Sequence, residues 1–232
     1  MKAKSAALRG KKRVAAGVAD AGGGVGTRMP HAERKAQILE TASEFFADYG
    51  LTAQTRRLAE ECGVSQRLLY RFFPTKEDLL SEVYRKEILG AFKAVWFAEL
   101  QDRSKSVEER LVDFYEDYVQ HTLTRKWLRL FMYASLSESS MAPDYISTII
   151  TQLLEVIMGE TAHERGIELP EDKAAIHEMA WTLHGAISHY AIRRHLYHAS
   201  RVLPEDQVVA MHVRMFLAGF DTMLVHYGTR DI

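Results

Sequence analysis

The sequence predicts an all-α protein of about nine helices, divided into a small N-terminal three-helix domain and a larger C-terminal helical domain. Apolar residues recur at three- and four-residue intervals along most of the chain, as they do on the buried face of an amphipathic helix. Serine, threonine or proline stands where most of these segments begin, which is typical of helix starts. No stretch alternates convincingly as a strand does, and 232 residues suffice for one large or two small domains.

The composition fits a globular protein in a reducing environment. Hydrophobic residues make up 47 % and charged residues 26 % of the chain, which is ordinary for such proteins. The single cysteine, Cys62, excludes an internal disulfide and suits the cytoplasm. No apolar run approaches the roughly 20 residues that a membrane span needs, so we expect a cytoplasmic protein.

The N-terminal domain is predicted to contain one longer helix and two short ones. An apolar stripe predicts the first helix over residues 31–49. Residues 54–76 then indicate two short helices joined by a tight turn. Gly63 in this turn can adopt the positive φ that favours a helix C-terminus, and Ser65 stands where the next helix needs a cap.

The second short helix carries polar residues suited to a DNA major groove. Because Leu69 and its apolar neighbours face the core, Gln66, Arg67, Tyr70 and Arg71 are left pointing outward. Arginine can bind guanine through two hydrogen bonds, glutamine can pair with adenine, and tyrosine can hold a phosphate. The pair of short helices therefore predicts a helix-turn-helix that reads DNA.

The motif residues resemble those of a known family. Gly63-Val64-Ser65, then Leu69-Tyr70, then the run FPTKEDL from Phe73 to Leu79 resemble the signature of the TetR family of bacterial transcriptional regulators. The close match covers about residues 33–80. The resemblance implies a helix-turn-helix domain, a fourth helix that links it to a regulatory domain, a small-molecule effector and a homodimer on double-stranded DNA.

Further DNA contacts follow from the resemblance. It implies a threonine or serine that caps the first short helix and touches a phosphate; Thr52 and Thr55 are both candidates, and we favour Thr55. Arg67 stands where family members often carry a small residue, so it either reads a base or contacts a phosphate. The predicted DNA-binding residues are Thr55, Ser65, Gln66, Arg67, Tyr70, Arg71 and Lys76.

Charge is distributed unevenly between the ends of the chain. Residues 1–30 hold seven basic residues against one acidic residue, whereas residues 81–232 hold 22 acidic against 16 basic. A basic end on an acidic body is expected of a DNA-binding protein with a regulatory domain. Residues 1–30 are predicted to be a disordered basic arm. This arm either lies along DNA or, the alternative we favour, is a solvated tail.

Residues 31–80 form the predicted DNA-binding domain and residues 81–232 the predicted effector-binding and dimerisation domain. Thr75 and Asp78 indicate a cap for the fourth helix, whose apolar spacing predicts one helix of roughly 25 residues to about Leu100. Such a helix would be the mechanical link between the domains. Starting signals of the same kind predict five more helices, over residues 106–122, 124–136, 143–166, 169–198 and 204–228.

The last two predicted helices concern assembly. Small residues on them would allow close helix contact, and in TetR proteins the corresponding helices pair with their copies in a dimer. The alternative is that both are internal core. A dimer would let two short helices read the half-sites of a palindromic operator. The dimer-interface candidates are Met179, Leu183, Ile187, Phe216 and Phe220.

The C-terminal domain is rich in aromatic residues and methionine. Most of these are expected in the core, but such a domain often encloses an apolar cavity with a few polar groups. The resemblance implies that an effector of unknown identity binds there and shifts the fourth helix. The effector-pocket candidates are Tyr115, Tyr118, His121, Trp127, Phe131, Trp181, His184 and Ser188.

Catalytic and metal-binding motifs are missing from the sequence. No spacing suggests a nucleophile and base, a phosphate-binding loop or a zinc site, so we expect no catalysis, cofactor or metal. The sequence thus favours a ligand-responsive DNA-binding regulator, most simply a repressor by the habit of the family. The alternative is a helical small-molecule-binding or interaction protein whose DNA-reading face is idle.

Overall fold

The computed structural model describes residues 29–137, 141–200 and 203–228, so the arm predicted for residues 1–30 lies almost wholly outside it. The described residues form helices and connecting loops with no strand, and the all-α fold class is confirmed. In chain order the α-helices are α1 (His31–Tyr49), α2 (Thr55–Glu61), α3 (Gln66–Phe72), α4 (Lys76–Glu87), α5 (Val95–Leu100), α6 (Val107–His121), α7 (Arg125–Leu136), α8 (Met141–Tyr145), α9 (Thr151–Arg165), α10 (Lys173–His195) and α11 (Glu205–Gly228).

The N-terminal domain has the local features that the sequence predicts. The Ser65 hydroxyl accepts a hydrogen bond from the Leu68 N–H at 3.1 Å, which caps α3. Gly63 in the turn has φ of 64°. Thr75 and Asp78 form a reciprocal capping box at the start of α4. These caps fix where α3 and α4 begin, and so they fix which face of α3 points away from the core.

The fourth helix is shorter than predicted, and a single helix to Leu100 is wrong. α4 ends at Glu87, a 3₁₀ turn occupies Leu89–Ala91, and the chain becomes helical again at α5. Gly90 lies in the middle of the interruption, where glycine is less favourable than alanine in a helix by about 1 kcal/mol. Phe92 then has extended backbone dihedrals, with φ −72° and ψ 133°. The chain therefore changes direction between α4 and α5.

Contacts with α6 hold α5 in its new direction. Asp117 accepts hydrogen bonds from Lys93 Nζ at 2.6 Å and from Trp96 Nε1 at 2.7 Å. Trp96 is fully buried. A straight helix from Lys76 would place Lys93 and Trp96 away from Asp117. These contacts between helices therefore explain why the helical spacing of apolar residues alone gave the wrong prediction.

A second predicted helix is also interrupted. The helix predicted from residue 143 starts at α8, passes through a π-helical segment at Ile146–Ile150, and continues as α9 to a left-handed cap at Gly166. These two interruptions account for eleven α-helical segments among the described residues where nine helices were predicted. α10 ends at His195, three residues before its predicted end, whereas α11 spans the predicted range.

α11 has one property that the sequence analysis did not anticipate. Its segment Glu205–Val225 is long and apolar enough to cross a membrane, and only 33 % of that window is buried in the single chain. The core helix of a soluble protein passes the same test. The observation therefore shows chiefly that α11 has an apolar face that the single chain does not cover.

The C-terminal domain is built around α6, which contacts α5, α9, α10 and α11. Arg110 on α6 is 3 % exposed and donates hydrogen bonds to Glu160 on α9 at 2.9 Å and to the Leu100 carbonyl at 2.6 Å. Arg103 donates two more hydrogen bonds to the same carboxylate, at 2.9 and 3.0 Å. Glu160 thereby joins α9 to α6 and to the end of α5.

Candidate DNA-binding and effector-binding sites

The outer face of α3 is arranged as the sequence predicts. Gln66, Arg67, Tyr70 and Arg71 are exposed, while Leu69 is 1 % exposed and anchors the helix to the core. Neither arginine forms an ion pair or hydrogen bond with another described residue. Both guanidinium groups are thus available to bases or phosphates without first breaking a contact within the chain.

Thr55 has a different role from the predicted one. The cap of α2 is Gln54, whose side chain makes no capping hydrogen bond, and Thr55 is the first helical residue. Its side chain is buried, and its hydroxyl lies 2.9 Å from the Tyr70 hydroxyl and accepts from Gln66 Nε2 at 3.3 Å. Thr55 therefore ties α2 to α3, and its assignment as the helix cap is wrong.

Other basic residues near the motif already have partners. Arg56 and Arg57 each pair with a glutamate one turn on, and the Arg57 guanidinium lies 3.8 Å from the centre of the Tyr49 ring. Lys76, at the start of α4, is half-buried with its Nζ 6.0 Å from the Phe46 ring. The unpaired charge of the motif is therefore concentrated on Arg67 and Arg71.

The two domains are joined by α7 as well as by α4. Arg129 on α7 donates hydrogen bonds to the carbonyls of Ala47 and Asp48, at the C-terminal end of α1. Arg125 pairs with the Asp48 carboxylate at 2.9 Å. The Tyr133 ring lies 3.6 Å from the Cβ that a side chain at Gly50 would carry. α7 thus holds the end of the helix that supports the helix-turn-helix.

A charged cluster extends this contact to α4. Lys126 Nζ lies 3.0 Å from a Glu44 oxygen and 3.1 Å from a Glu87 oxygen. Although partial burial opposes it, these carboxylates raise the pKa of Lys126. Lys126 therefore bridges α1, α4 and α7. No local pattern in the sequence indicates this cluster, because its members are far apart in the chain.

Six of the eight effector-pocket candidates lie in two adjoining groups of buried or half-buried rings, together called the ring cluster. The first group contains Tyr115 and Tyr118 of α6 and Trp181 and His184 of α10. The second contains Trp127 and Phe131 of α7 and Tyr145. Burial, and with it the neighbouring Tyr145, raises the pKa of Tyr118, so the two groups meet there. At one end of the cluster the Trp181 and His184 ring centroids are 5.3 Å apart. At the other end Trp127 and Phe131 are stacked, with their centroids 4.7 Å apart.

The polar groups of this cluster are largely desolvated. Burial lowers the pKa of His184 to about 4, so its ring is neutral near pH 7. The Tyr115 hydroxyl and Trp127 Nε1 have no hydrogen-bond partner among the described residues. Burial, and to a lesser degree the neighbouring Tyr145, raise the pKa of Tyr84 on α4. The cluster thus includes residues of α7 and lies near Tyr84 of α4, and both of these helices contact α1.

Two predicted effector residues are not brought to this cluster. The His121 side chain is 56 % exposed, and its Nδ1 lies 2.7 Å from the Asp117 carboxylate. Ser188 is half-buried on α10 and makes no described hydrogen bond or ring contact with the cluster. The spacing of α6 explains His121: it follows Asp117 by four residues, so it lies on the same partly exposed face of the helix and pairs with Asp117 instead of reaching the rings.

An open cleft of about 750 Å³ lies beside the cluster, between α9 and the first turns of α10. Leu154 and Met158 form part of one wall and Ile176 and His177 part of the other. None of the predicted effector residues lines it. However, His177 Nε2 accepts a hydrogen bond from Trp181 Nε1 at 2.8 Å, so the cleft adjoins the ring cluster.

The side chains predicted at a dimer interface lie mostly inside the single chain. Met179, Leu183, Ile187 and Phe220 are each at most 5 % exposed, and Phe216 is half-buried. The apolar residues that α11 exposes are instead Met211 at 42 %, Met215 at 66 %, Met223 at 40 % and Val225 at 67 %. The helical spacing of apolar residues predicted the helix but not which of its faces is exposed.

Comparison with known proteins agrees with the helix-turn-helix geometry. Residues 38–83 match the family model described as bacterial regulatory proteins, tetR family. The matched residues are those of the helix-turn-helix and the start of α4, so this part of the chain is similar to the TetR family. A TetR-like transcriptional regulator from Rhodococcus sp. RHA1 has the same fold, with a TM-score of 0.63 and 19 % identity over 84 % of this chain and 99 % of that one.

Two curated relatives come from Mycolicibacterium smegmatis. The HTH-type transcriptional activator FasR is 32 % identical over 49 % of this chain and 52 % of its own. The HTH-type transcriptional repressor KstR2 is 32 % identical over 36 % of this chain and 40 % of its own. The matched part thus spans about half the length of these relatives or less.

Proposed function

We propose that this protein is a ligand-responsive transcriptional regulator of the TetR type that binds a palindromic operator as a homodimer. The observation that carries the proposal is α3, a capped helix whose exposed Arg67 and Arg71 lack partners among the described residues. Arginine at such positions binds guanine edges or phosphates. We assign it as a repressor in the cytoplasm, as the relative KstR2 is named a repressor, although FasR is named an activator.

Dimerisation is proposed through the last two helices, with the uncovered face of α11 at its centre. Met211, Met215 and Val225 are exposed on one side of this helix. Burying apolar surface contributes roughly 25 cal/mol per Å², so a second copy of the same face is a suitable partner. A two-fold dimer would present two α3 helices to half-sites about 34 Å apart or a multiple of it.

Effector control is proposed to act through α7 and α4 together. A ligand beside the ring cluster would displace Trp127 or Tyr84, which lie on these two helices. α7 holds the end of α1 through Arg129. A shift of α7 would therefore change the position of α1 and the spacing of the two recognition helices, which lowers operator affinity if the new spacing does not match the half-sites.

Selection of genomic DNA fragments by the purified protein tests this function. We expect wild type to enrich a palindromic site and Arg67→Ala to lose that enrichment. Arg85→Ala is the matched control, because Arg85 is 69 % exposed and lies on α4 beside Glu82; it should behave as wild type. If wild type enriches no site at moderate salt, the DNA-reading face is idle and the regulator proposal fails.

A further inference from the structure

The cleft between α9 and α10 has the size and lining of a small-molecule site. Its volume of about 750 Å³ lies within the range of roughly 300–1,000 Å³ that is usual for ligand pockets. Leu154 and Met158 are each 1 % exposed, so the floor of the cleft is continuous with the protein core. Ile176 adds apolar surface from the opposite wall. The cleft therefore has an apolar floor that adjoins the core.

The polar part of the lining is mainly acidic. Glu155, Glu171 and Glu178 line the cleft and are exposed, and none forms an ion pair or hydrogen bond with another described residue. Lys173 is the single Lys or Arg in the described lining. The cleft thus combines an apolar floor with an excess of two negative charges, and a bound cation would not first have to displace an existing partner.

The inner part of the lining bears an imidazole ring that is held by a hydrogen bond. His177 Nε2 accepts the Trp181 N–H at 2.8 Å. Trp181 in turn lies edge-on to His184, at a centroid distance of 5.3 Å. A molecule in the cleft would therefore press on a hydrogen-bonded pair that leads directly into the ring cluster.

We propose that this cleft binds an amphipathic organic cation. Its apolar part lies on Leu154, Met158 and Ile176, and its charged group lies among the unpaired carboxylates. The inference rests on the proposed function, because such a ligand in this place is the effector of the regulator. It differs from the sequence-based expectation in that the ligand enters beside the ring cluster and reaches it only through His177 and Trp181.

Matched short amphiphiles test the proposed charge preference on the DNA-free protein. The probes are octyltrimethylammonium, 1-octanol and octanoate, which share the chain and differ in charge. Titration calorimetry and tryptophan fluorescence report binding, the latter through Trp181. We expect the cation to bind at least tenfold more tightly than the carboxylate, with the alcohol between them, and we expect this order to weaken at high salt.

Variants of the lining locate the binding. An exposed charge pair contributes up to about 1 kcal/mol, or roughly fivefold in affinity. Glu155→Gln with Glu178→Gln removes two such pairs and should therefore weaken cation binding by up to about 25-fold and leave 1-octanol binding unchanged. Ala174→Trp, at an exposed position of the lining, should abolish binding of every probe. Glu33→Gln on α1 removes one negative charge far from the cleft and should change nothing.

Several results would overturn the inference. Equal or tighter binding of octanoate refutes the charge preference, and binding that survives Ala174→Trp refutes the location. Neither result depends on DNA, so each can be distinguished from failure of the regulator proposal, which is tested by fragment selection. Cation binding that leaves operator affinity unchanged would retain the site but refute its role as the effector site.

Discussion

Replacing Glu160 by glutamine perturbs the most buried ion-pair network of the C-terminal domain. The Glu160 carboxylate accepts hydrogen bonds from Arg103 and from Arg110, and the Arg110 side chain is 2 % exposed. Glutamine keeps the size of the side chain but removes its charge. Arg110 would then be a buried charge whose acceptors outside residue 160 are the carbonyls of Leu100 and Ser106 and the carboxylate of Glu164 at 3.3 Å.

The magnitude of the expected loss follows from the pKa of the carboxyl. Arg103, and with it Arg110, lowers the pKa of Glu160 to about 2. Relative to the ordinary value of 4.5, one unit corresponds to about 1.4 kcal/mol, so the ionised form is favoured in the folded state by about 3 kcal/mol. Because the folded-state pKa is depressed, this stability is present above pH 4.5 and is lost as the pH falls toward 2.

Urea unfolding of wild type and Glu160→Gln at several pH values measures this contribution. At pH 7 the variant should be less stable by about 3 kcal/mol, and the difference should shrink below pH 4.5. The difference between the two proteins cancels the titration of other groups. Asp113→Asn is the control: Asp113 and Lys105 form a pair with side chains 60 % and 52 % exposed, which should contribute under about 1 kcal/mol.

Two outcomes would refute this reasoning. A loss below about 1 kcal/mol at pH 7 would mean that desolvation of the three charged groups offsets their attraction. A difference that stays constant from pH 6 to pH 2.5 would mean that the loss comes from packing rather than from the charge of Glu160. In either case, the network would not be a main source of stability in this domain.

Three further predictions concern other parts of the molecule. Tyr70→Phe removes the hydroxyl that lies 2.9 Å from Thr55 Oγ1. Operator affinity, measured by fluorescence anisotropy, should therefore fall several-fold while the helix content stays the same. An unchanged affinity would contradict the role of this hydrogen bond in joining α2 to α3. Met215→Glu places a charge on the exposed face of α11 and should shift the protein from dimer to monomer in sedimentation, whereas a stable dimer would place the interface elsewhere. Burial lowers the pKa of His184 from 6.5 to about 4. The neutral ring therefore contributes about 3 kcal/mol to the free energy of unfolding above pH 6.5, and this contribution should be lost as the pH falls toward 4. Urea unfolding of His184→Gln should lack this pH dependence.

Local signals in the sequence predicted most helix starts correctly. Ser65, Thr75 and Ser106 each accept the capping hydrogen bond expected of them, and Gly63 adopts the expected positive φ. Such features depend on residues within one turn of each other, so they can be predicted from the sequence without knowledge of the fold. For the same reason the outward face of α3 could be assigned from the order of its residues alone.

Features that depend on distant residues could not be predicted. The break after Glu87 is fixed by Asp117, which lies on another helix and binds Lys93. The hold of Arg129 on the end of α1 joins residues about 80 positions apart. Periodicity also cannot tell which side of α11 is covered by α6 and α10, and therefore it selected Phe220, which is buried, over Met215, which is exposed.

The dependence of operator binding on salt tests the central claim most directly. Binding of the selected DNA fragment would be measured over a series of salt concentrations for wild type, Arg67→Ala and Arg71→Ala. If α3 reads DNA, wild-type affinity should fall steeply as the salt concentration rises. A variant that has lost a phosphate contact should show a shallower dependence on salt, and a variant that has lost a base contact should show a relaxed sequence preference. If both variants bind the fragment as wild type does at every salt concentration, α3 is not the DNA-reading helix.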